Sequence, residues 1–325
     1  MRLLMLFGVL VCAVAQARAQ EPLRQIATVA LPNVAGRIDH LGFDAQRQRL
    51  FVAALGNDTV EVLDAASSVH LKSLTGFREP QGIAVAPDFG GVAIANGDAG
   101  TLQLLDAETF ATRWTSDIGG DVDNVRYDAA PKQLYVAAEG GLYRVDPASG
   151  KVAKQIAIDG HPESFQLEAT GKRVFANLPG VLSSQVVVGD RETGAVAARW
   201  SSLGCRSNYP MALDETTARV FVGCRMPARL VMLDGRSGGV TASADAVGDT
   251  DDLFFDAARQ RVYVIGGEGF VDVFQRRGDA LERTARVATR AGARTGLWVA
   301  ATSKLYVAVP ARDGKSAEVR VFEAQ

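Results

Sequence analysis

The segment RIDHLGFDAQRQRLFVAALGNDTVEVLD, residues 37–64, contains three short apolar runs separated by two turns. The third run ends at Asp64. Runs of four or five apolar and β-branched residues between turn residues are typical of β-strands rather than helices. Phe43, followed at once by the turn residues of FDAQ, is the mark by which this unit can be followed along the chain.

The unit recurs seven times. Each copy has an apolar anchor before a turn that begins with Asp or a substitute, and the predicted anchors are Phe43, Val85, Tyr127, Leu167, Leu213, Phe255 and Val299. A second strand begins six or seven residues after each anchor, a third follows it, and a more polar fourth strand closes most copies. Four short antiparallel strands in about 42 residues, repeated seven times, predict an all-β fold, the seven-bladed β-propeller with four-stranded antiparallel blades.

The two ends of the chain complement each other. The last copy stops after its third strand at VRVFEAQ, residues 319–325, and LRQIATVAL, residues 23–31, is a strand left over before the first copy. We predict that this N-terminal strand pairs with the last blade, which closes the ring and covers two otherwise exposed sheet edges. Residues 20–325 are then a single propeller domain.

The first twenty residues have the features of a secretory signal peptide. Arg2 precedes an apolar stretch, and the small residues of ARA, residues 17–19, precede Gln20. The apolar stretch is too short to span a bilayer, and no other segment is long and apolar enough to do so. We predict a signal peptide over residues 1–19, cleavage near Ala19, and a periplasmic or secreted protein. In that oxidising compartment Cys205 and Cys224 are expected to form a disulfide.

The charge balance argues against one class of partner. Removal of the signal peptide leaves 33 basic and 37 acidic residues. A mildly acidic protein lacks the basic surface of a general nucleic-acid binder. We expect a monomer whose partner is a protein or a small anionic ligand.

Three segments carry a family resemblance. LFVAALGNDTVEVLDAASS (residues 50–68), LYVAAEGGLYRVDPASGKV (residues 134–152) and VFVGCRMPARLVMLDGRSGGV (residues 220–240) resemble the YVTN-type, YncE-like propeller family. The resemblance implies an exported bacterial propeller without a defined biochemical role. The family's final Asn is kept only at Asn96 and Asn177, and the last two repeats lack the Asp after the third strand.

The candidate site is the mouth of the channel. In a propeller the loops that lead into the innermost strands open onto one face, and the position four residues before each anchor forms a ring there. That ring consists of Asp39, Gln81, Asp123, Glu163, Tyr209, Asp251 and Thr295. Neighbouring candidates are Arg37, His40, Arg78, Asn124, His161, Arg206 and Arg294. The mouth is therefore acidic in its ring, with arginines around it.

Three interpretations of the mouth stay open. In the first, the carboxylates are solvated in a water-filled channel and some pair with arginine. In the second, a divalent cation such as calcium is bound by Asp123, Asn124, Glu163 and Asp251. In the third, a small acidic ligand is bound by Arg37, Arg78, Arg206 and Arg294. His40 and His161 act as acid, base or metal ligand, or are neutral and hydrogen-bonded.

No catalytic motif is legible in the chain. There is no GxSxG and no His-rich metal spacing. We therefore predict a binding or protein-interaction scaffold with its ligand at the channel mouth. The alternative is a metal-dependent lactonase or related hydrolase, by analogy of architecture with gluconolactonase-type propellers.

Overall fold

The computed structural model describes residues 21–201 and 203–325, so the predicted signal peptide lies outside the described residues. Seven four-stranded antiparallel sheets form the blades of a ring. The innermost strands of neighbouring blades lie side by side around the central channel. The predicted seven-bladed β-propeller is confirmed.

The first strand of the chain, β1 (Leu23–Leu31), belongs to the last blade. From the channel outwards, the first blade contains β2 (Leu41–Asp44), β3 (Arg49–Ala54), β4 (Thr59–Asp64) and β5 (Val69–Leu74). The second contains β6 (Pro80–Ala86), β7 (Gly91–Asn96), β8 (Thr101–Asp106) and β9 (Thr112–Asp117). The third contains β10 (Val122–Asp128), β11 (Gln133–Ala138), β12 (Gly141–Val145) and β13 (Val152–Ala157).

The remaining blades follow the same order. The fourth contains β14 (Phe165–Leu167), β15 (Arg173–Leu178), β16 (Gln185–Asp190) and β17 (Val196–Trp200). The fifth contains β18 (Arg206–Asp214), β19 (Arg219–Met226), β20 (Ala228–Asp234) and β21 (Val240–Asp245). The sixth contains β22 (Thr250–Asp256), β23 (Arg261–Gly266), β24 (Phe270–Arg277) and β25 (Ala280–Ala288). The seventh contains β26 (Gly296–Val299), β27 (Lys304–Val309) and β28 (Ala317–Ala324), with β1 outermost. Short 3-10 turns cover Leu55–Asn57, Pro87–Phe89 and Ala300–Thr302.

The second strands explain the continuous apolar runs in the sequence. Successive side chains of a strand point to opposite faces of the sheet. In β3, Leu50 and Val52 pack in the core between the last blade and the first, while Phe51 and Ala53 pack in the core between the first and second. Both faces of each blade are therefore buried, and alternation of apolar and polar residues is confined to the outer strands.

The N-terminal strand closes the ring as predicted. It pairs antiparallel with β28, from Leu23 opposite Ala324 to Leu31 opposite Ala317. A register shift at Gln25 reverses the face that the later residues present. Leu23 consequently packs between the sixth and seventh blades, and Leu31 packs between the seventh and first. One strand thus seals both interfaces of the last blade.

The turns after the third strands are held by aspartates. Asp106 Oδ1 accepts hydrogen bonds from the backbone N–H groups of Glu108 at 2.9 Å and Thr109 at 2.8 Å. These bonds and the Arg113 guanidinium lower the pKa of Asp106, because they stabilise the ionised carboxylate. The sequence DAET, residues 106–109, therefore forms an Asx turn.

The seventh anchor was predicted one residue too late. Trp298 pairs with Leu305 as Phe43 pairs with Leu50, so Trp298, not Val299, is the anchor. The error arises because Val299 occupies the place where the first blade has the turn residue Asp44, which removes the sequence mark for the register.

The predicted disulfide is present. Cys205, just before β18, is bonded to Cys224 in β19, with their Cα atoms 6.0 Å apart. A disulfide fits an extracellular or periplasmic protein. Among the described residues, no helix has the length and apolar character needed to cross a membrane.

Candidate functional site

The ring positions lie on irregular backbone at the start of the innermost strands. Register shifts occur between Pro80 and Ile83, between Val122 and Val125, between Asn208 and Met211, and between Thr250 and Asp252. A β-bulge bends the strand and redirects a side chain. The bulges place Gln81, Asp123, Tyr209 and Asp251 at the mouth of the channel.

The corrected register of the last blade changes one member of the ring. Counting four residues back from Trp298 places Arg294, rather than Thr295, in the ring. Thr295 instead donates a hydrogen bond from Oγ1 to the carbonyl oxygen of Ile38, 3.2 Å away. The ring therefore carries less negative charge than predicted from the sequence, because Arg294 takes the place of Thr295.

His40 lies at the centre of a cluster of polar side chains at the mouth, formed with Asp39, Asp123, Asn124 and Asp252. Its Nδ1 is 3.2 Å from Asp252 Oδ2, and its Nε2 is 3.0 Å from the Asn124 amide. The same Nε2 lies 3.6 Å from Asp39 Oδ1 and 3.8 Å from Asp123 Oδ1. Burial acts to lower the pKa of His40, but Asp252, Asp39 and Asp123 outweigh it and hold that pKa well above the usual range. His40 thus lies between carboxylates from three blades, those of Asp39, Asp123 and Asp252.

Asp251 is surrounded by arginines. Its carboxylate lies 2.8 Å from Arg225, 3.1 Å from Arg294 and 4.0 Å from Arg37. Arg37 also donates to Asp39 at 2.9 Å. Arg37 and Arg294 therefore neutralise carboxylates of the protein, which removes half of the arginine set expected to bind a small acidic ligand.

Asp123, His161 and Glu163 form a second group. One ligand atom from each of the three side chains lies within 4.8 Å of the others. His161 Nδ1 is 3.5 Å from Glu163 Oε1, and its Nε2 is 3.2 Å from the carbonyl oxygen of Asp121. Burial and the neighbouring Glu163 raise the pKa of Asp123 well above its usual range, since two adjacent carboxylates resist ionising together.

The mouth carboxylates are less exposed than expected for a water-filled channel. The side chain of Asp39 is 1% exposed, that of Asp123 7% and that of Asp251 9%. At these positions the bulged strands and the basic side chains cover the carboxylates. Asp39 and Asp251 pair with arginine, as the first interpretation allows. Within the described part of the chain, three oxygens of the mouth carboxylates are buried without a hydrogen-bond partner: Asp39 Oδ1, Asp123 Oδ1 and Asp251 Oδ2.

The other predicted candidates lie at the edge of the cluster. Arg78 pairs with the exposed Asp98, and Arg206 donates to the carbonyl oxygen of Val181 at 3.0 Å. Gln81 donates to Asp121 Oδ1 at 2.6 Å. The guanidinium of Arg225 lies over the Tyr209 ring, 3.8 Å from the centre of that ring.

Sequence reasoning missed three residues of the site. Arg225 lies near the end of the second strand of its blade rather than before an innermost strand, so a search of the feeding loops passes over it. Asn208 pairs with Cys224, so the end of β19 lies beside the start of β18 at the mouth. The antiparallel pairing of these two strands is the feature that could have brought Arg225 to the mouth. Asp121 acts through its backbone carbonyl. Arg126, in β10, donates from Nε to the carbonyl oxygen of Phe165 at 2.8 Å.

A pocket of about 440 Å³ adjoins the second group. It is lined by His161, Glu163, Leu178, Val181, Ser207 and Tyr209, among other residues. Its volume is within the range of small-molecule sites, roughly 300–1,000 Å³. The group Asp123–His161–Glu163 therefore has ligand-sized space beside it.

Comparisons with known proteins support the fold alone. No protein-family model matches the chain. A 126-residue segment, 39% of this chain, is 27% identical to the uncharacterized protein YwhL of Bacillus subtilis (strain 168) and spans 27% of that protein. A chain in the crystal structure of a Mitotic Checkpoint Complex is similar in fold, with a TM-score of 0.76 and 12% identity over 98% of this chain and 99% of that one.

Proposed function

We propose that the protein is an exported binding module that takes a small, positively charged group into the mouth of its channel. The observation that carries this proposal is that Asp39 Oδ1, Asp123 Oδ1 and Asp251 Oδ2 are buried and accept no hydrogen bond among the described residues. The basic side chain of His40 or Arg294 lies 3.1 Å to 3.8 Å from each of them. A buried polar atom without a partner costs about 1–3 kcal/mol, and more when it is charged. A metal ion or an ammonium group at the mouth offers such oxygens a direct contact.

The charge arrangement favours a cation over an anion. Of the four arginines considered for an acidic ligand, Arg37 and Arg294 face carboxylates of the protein, and Arg78 pairs with Asp98. An anion would have to displace these ion pairs while lying beside the mouth carboxylates. The cost of bringing like charges together therefore disfavours the expected anionic ligand.

The test is calorimetric titration with Ca²⁺, Mn²⁺, Zn²⁺, a primary alkylamine, phosphate and acetate. We expect at least one cation and neither anion to bind the wild type. Asp123→Asn weakens that binding by at least about tenfold, because it removes a charge that contacts the ligand. The matched control Asp98→Asn changes an exposed carboxylate of a neighbouring loop and leaves the affinity unchanged. Binding of the anions alone, or equal cation binding by both variants, refutes the proposal.

A metal-dependent hydrolase is the second candidate. The spacing of Asp123, His161 and Glu163 beside the pocket favours it. Its test is turnover of a panel of lactones and carboxylic esters, with the expectation that a chelator and Glu163→Gln both abolish it. Turnover that survives both treatments, or no turnover by metal-loaded protein, removes this candidate.

Protein interaction is the third use that the fold allows. Propellers commonly serve as interaction scaffolds. Val181 lines the pocket, and Val181 and the next residue Leu182 are 68% and 90% exposed, so both are available to a partner there. Substitution of both by Ser is expected to weaken partner binding and leave the cation affinity unchanged; unchanged partner binding argues against this surface.

A further inference from the structure

Two adjacent blades place Asp123, His161 and Glu163 close enough together to bind one metal ion. Asp123 lies on the bulge of β10, and the other two residues are in the loop that leads into β14. Metal–ligand distances of about 2.0–2.2 Å in tetrahedral geometry separate the ligand atoms by about 3.3 Å. The observed 3.5 Å between His161 Nδ1 and Glu163 Oε1 is close to that separation.

The histidine is held in the orientation that a ligand requires. Its Nε2 lies 3.2 Å from the carbonyl oxygen of Asp121, so this nitrogen donates its N–H to the backbone. Metal-binding histidines usually donate the second ring nitrogen in this way, which fixes the tautomer and the ring. Nδ1 is left facing Glu163. Asp121 is itself held by the hydrogen bond from Gln81 at 2.6 Å.

The surroundings of Asp123 favour a cation beside it. The side chain of Asp123 is 7% exposed, and its Oδ1 has no hydrogen-bond partner in the described part of the chain. Glu163 lies against it, so the protein holds two carboxylates together and only partly compensates their charge. A divalent cation between them removes the repulsion and satisfies the buried oxygen.

We propose that Asp123, His161 and Glu163 bind a first-row divalent transition-metal ion, best matched by Zn²⁺, with open coordination positions facing the adjoining pocket. This inference rests on the proposed cation-binding function and names its ligand. An imidazole with two carboxylates suits Zn²⁺ or Mn²⁺, whereas Ca²⁺ takes six to eight oxygens.

The metal-ligand set differs from the one expected from the sequence. Asn124 lies against His40 at 3.0 Å, and Asp251 lies between Arg225 and Arg294. Both side chains are thus engaged elsewhere, and His161 takes their place in the set.

The open positions define a class of ligand. Three protein ligands are the number found in catalytic zinc sites, which leave a position for water or substrate. The pocket of about 440 Å³ begins at His161 and Glu163 and continues past Leu178 and Tyr209. It accommodates a small organic molecule that offers a carbonyl or carboxylate oxygen to the metal.

The experiment is equilibrium dialysis of chelator-stripped protein against Zn²⁺ and Ca²⁺, together with the visible absorption spectrum after loading with Co²⁺. We expect one Zn²⁺ per chain, Zn²⁺ bound at least about 100-fold more tightly than Ca²⁺, and Co²⁺ bands typical of four or five ligands. Glu163→Gln and His161→Ala weaken Zn²⁺ binding at least about 100-fold and remove the bands, since each deletes a ligand.

Asp98→Asn is the matched control, because Asp98 is an exposed carboxylate of a loop outside this pocket. It leaves both readouts unchanged. Circular dichroism of the metal-free variants checks folding, and the partial exposure of His161 and Glu163, 26% and 22%, makes their replacement tolerable. Zn²⁺ binding that is absent, or equal in wild type and Glu163→Gln, overturns the metal site. If an amine or Ca²⁺ still binds in a manner sensitive to Asp123→Asn, the proposed function stands without the zinc site. If no cation binds, both fall.

Discussion

Closure of the ring by the N-terminal strand predicts a specific pattern of destabilisation. Leu23 and Leu31 are 1% and 0% exposed and pack on opposite sides of the last blade. Replacing either by Ala removes three buried carbons at about 0.8 kcal/mol each and leaves a cavity, which gives about 3 kcal/mol per site. The two residues are eight positions apart, roughly 27 Å along the strand, so their effects add to about 6 kcal/mol.

The assay is urea unfolding of the single and double variants. Ile26→Ala is the matched control, because Ile26 is an apolar residue of the same strand but is 41% exposed. We expect this control to cost less than about 1 kcal/mol. A total stability of about 5–15 kcal/mol is typical, so the double variant approaches unfolding without denaturant. Costs for Leu23→Ala and Leu31→Ala no larger than that of Ile26→Ala would refute the closure.

Three further predictions follow from local structure. Reduction of the bond between Cys205 and Cys224, which are 19 residues apart, lowers the free energy of unfolding by about 3 kcal/mol in urea titrations, and no change on reduction contradicts this. Gly82→Ala places a Cβ atom 2.3 Å from the carbonyl oxygen of Asp123; it costs at least about 2 kcal/mol and weakens cation binding in calorimetry, whereas a wild-type result disproves the close packing. The lowered pKa of Asp106 means that its contribution to stability is present above pH 4 and is lost as the pH falls towards that lowered pKa. Asp106→Asn therefore reduces the loss of unfolding free energy as the pH is lowered below 4. If that loss is unchanged in the variant, the Asx turn is not its cause.

The repeat pattern was sufficient to predict the fold because every blade is buried on both faces. Residues such as Phe51 and Val52 face different cores yet are both apolar, which produces a continuous run that recurs with each blade. The predicted strand register was wrong in the last blade, where the turn aspartate that marks the anchor is absent. Val299 stands in place of the turn aspartate, so the anchor moved from Trp298 by one residue and the ring position moved with it.

The candidate site was predicted in composition more than in arrangement. Counting from the anchors brought Asp123 and Glu163 to the mouth, but the bulges that turn the side chains leave no mark in one sequence. Which side chains pair at the mouth depends on the geometry between blades. The repeat pattern therefore could not predict that Asp251 pairs with Arg225 rather than with a metal. His161 was recognised as a mouth residue, yet its alignment with Glu163 depends on the backbone carbonyl of Asp121.

The most direct test of metal binding at the channel mouth is the thermal unfolding midpoint of chelator-stripped protein with and without saturating Zn²⁺. At one hundred times the dissociation constant, binding to the native state adds about 2.7 kcal/mol, which raises the midpoint by roughly 4 °C for a chain of this size. We expect that rise in the wild type and its loss in Glu163→Gln. The same midpoint with and without Zn²⁺, or the same rise in both proteins, would contradict that expectation.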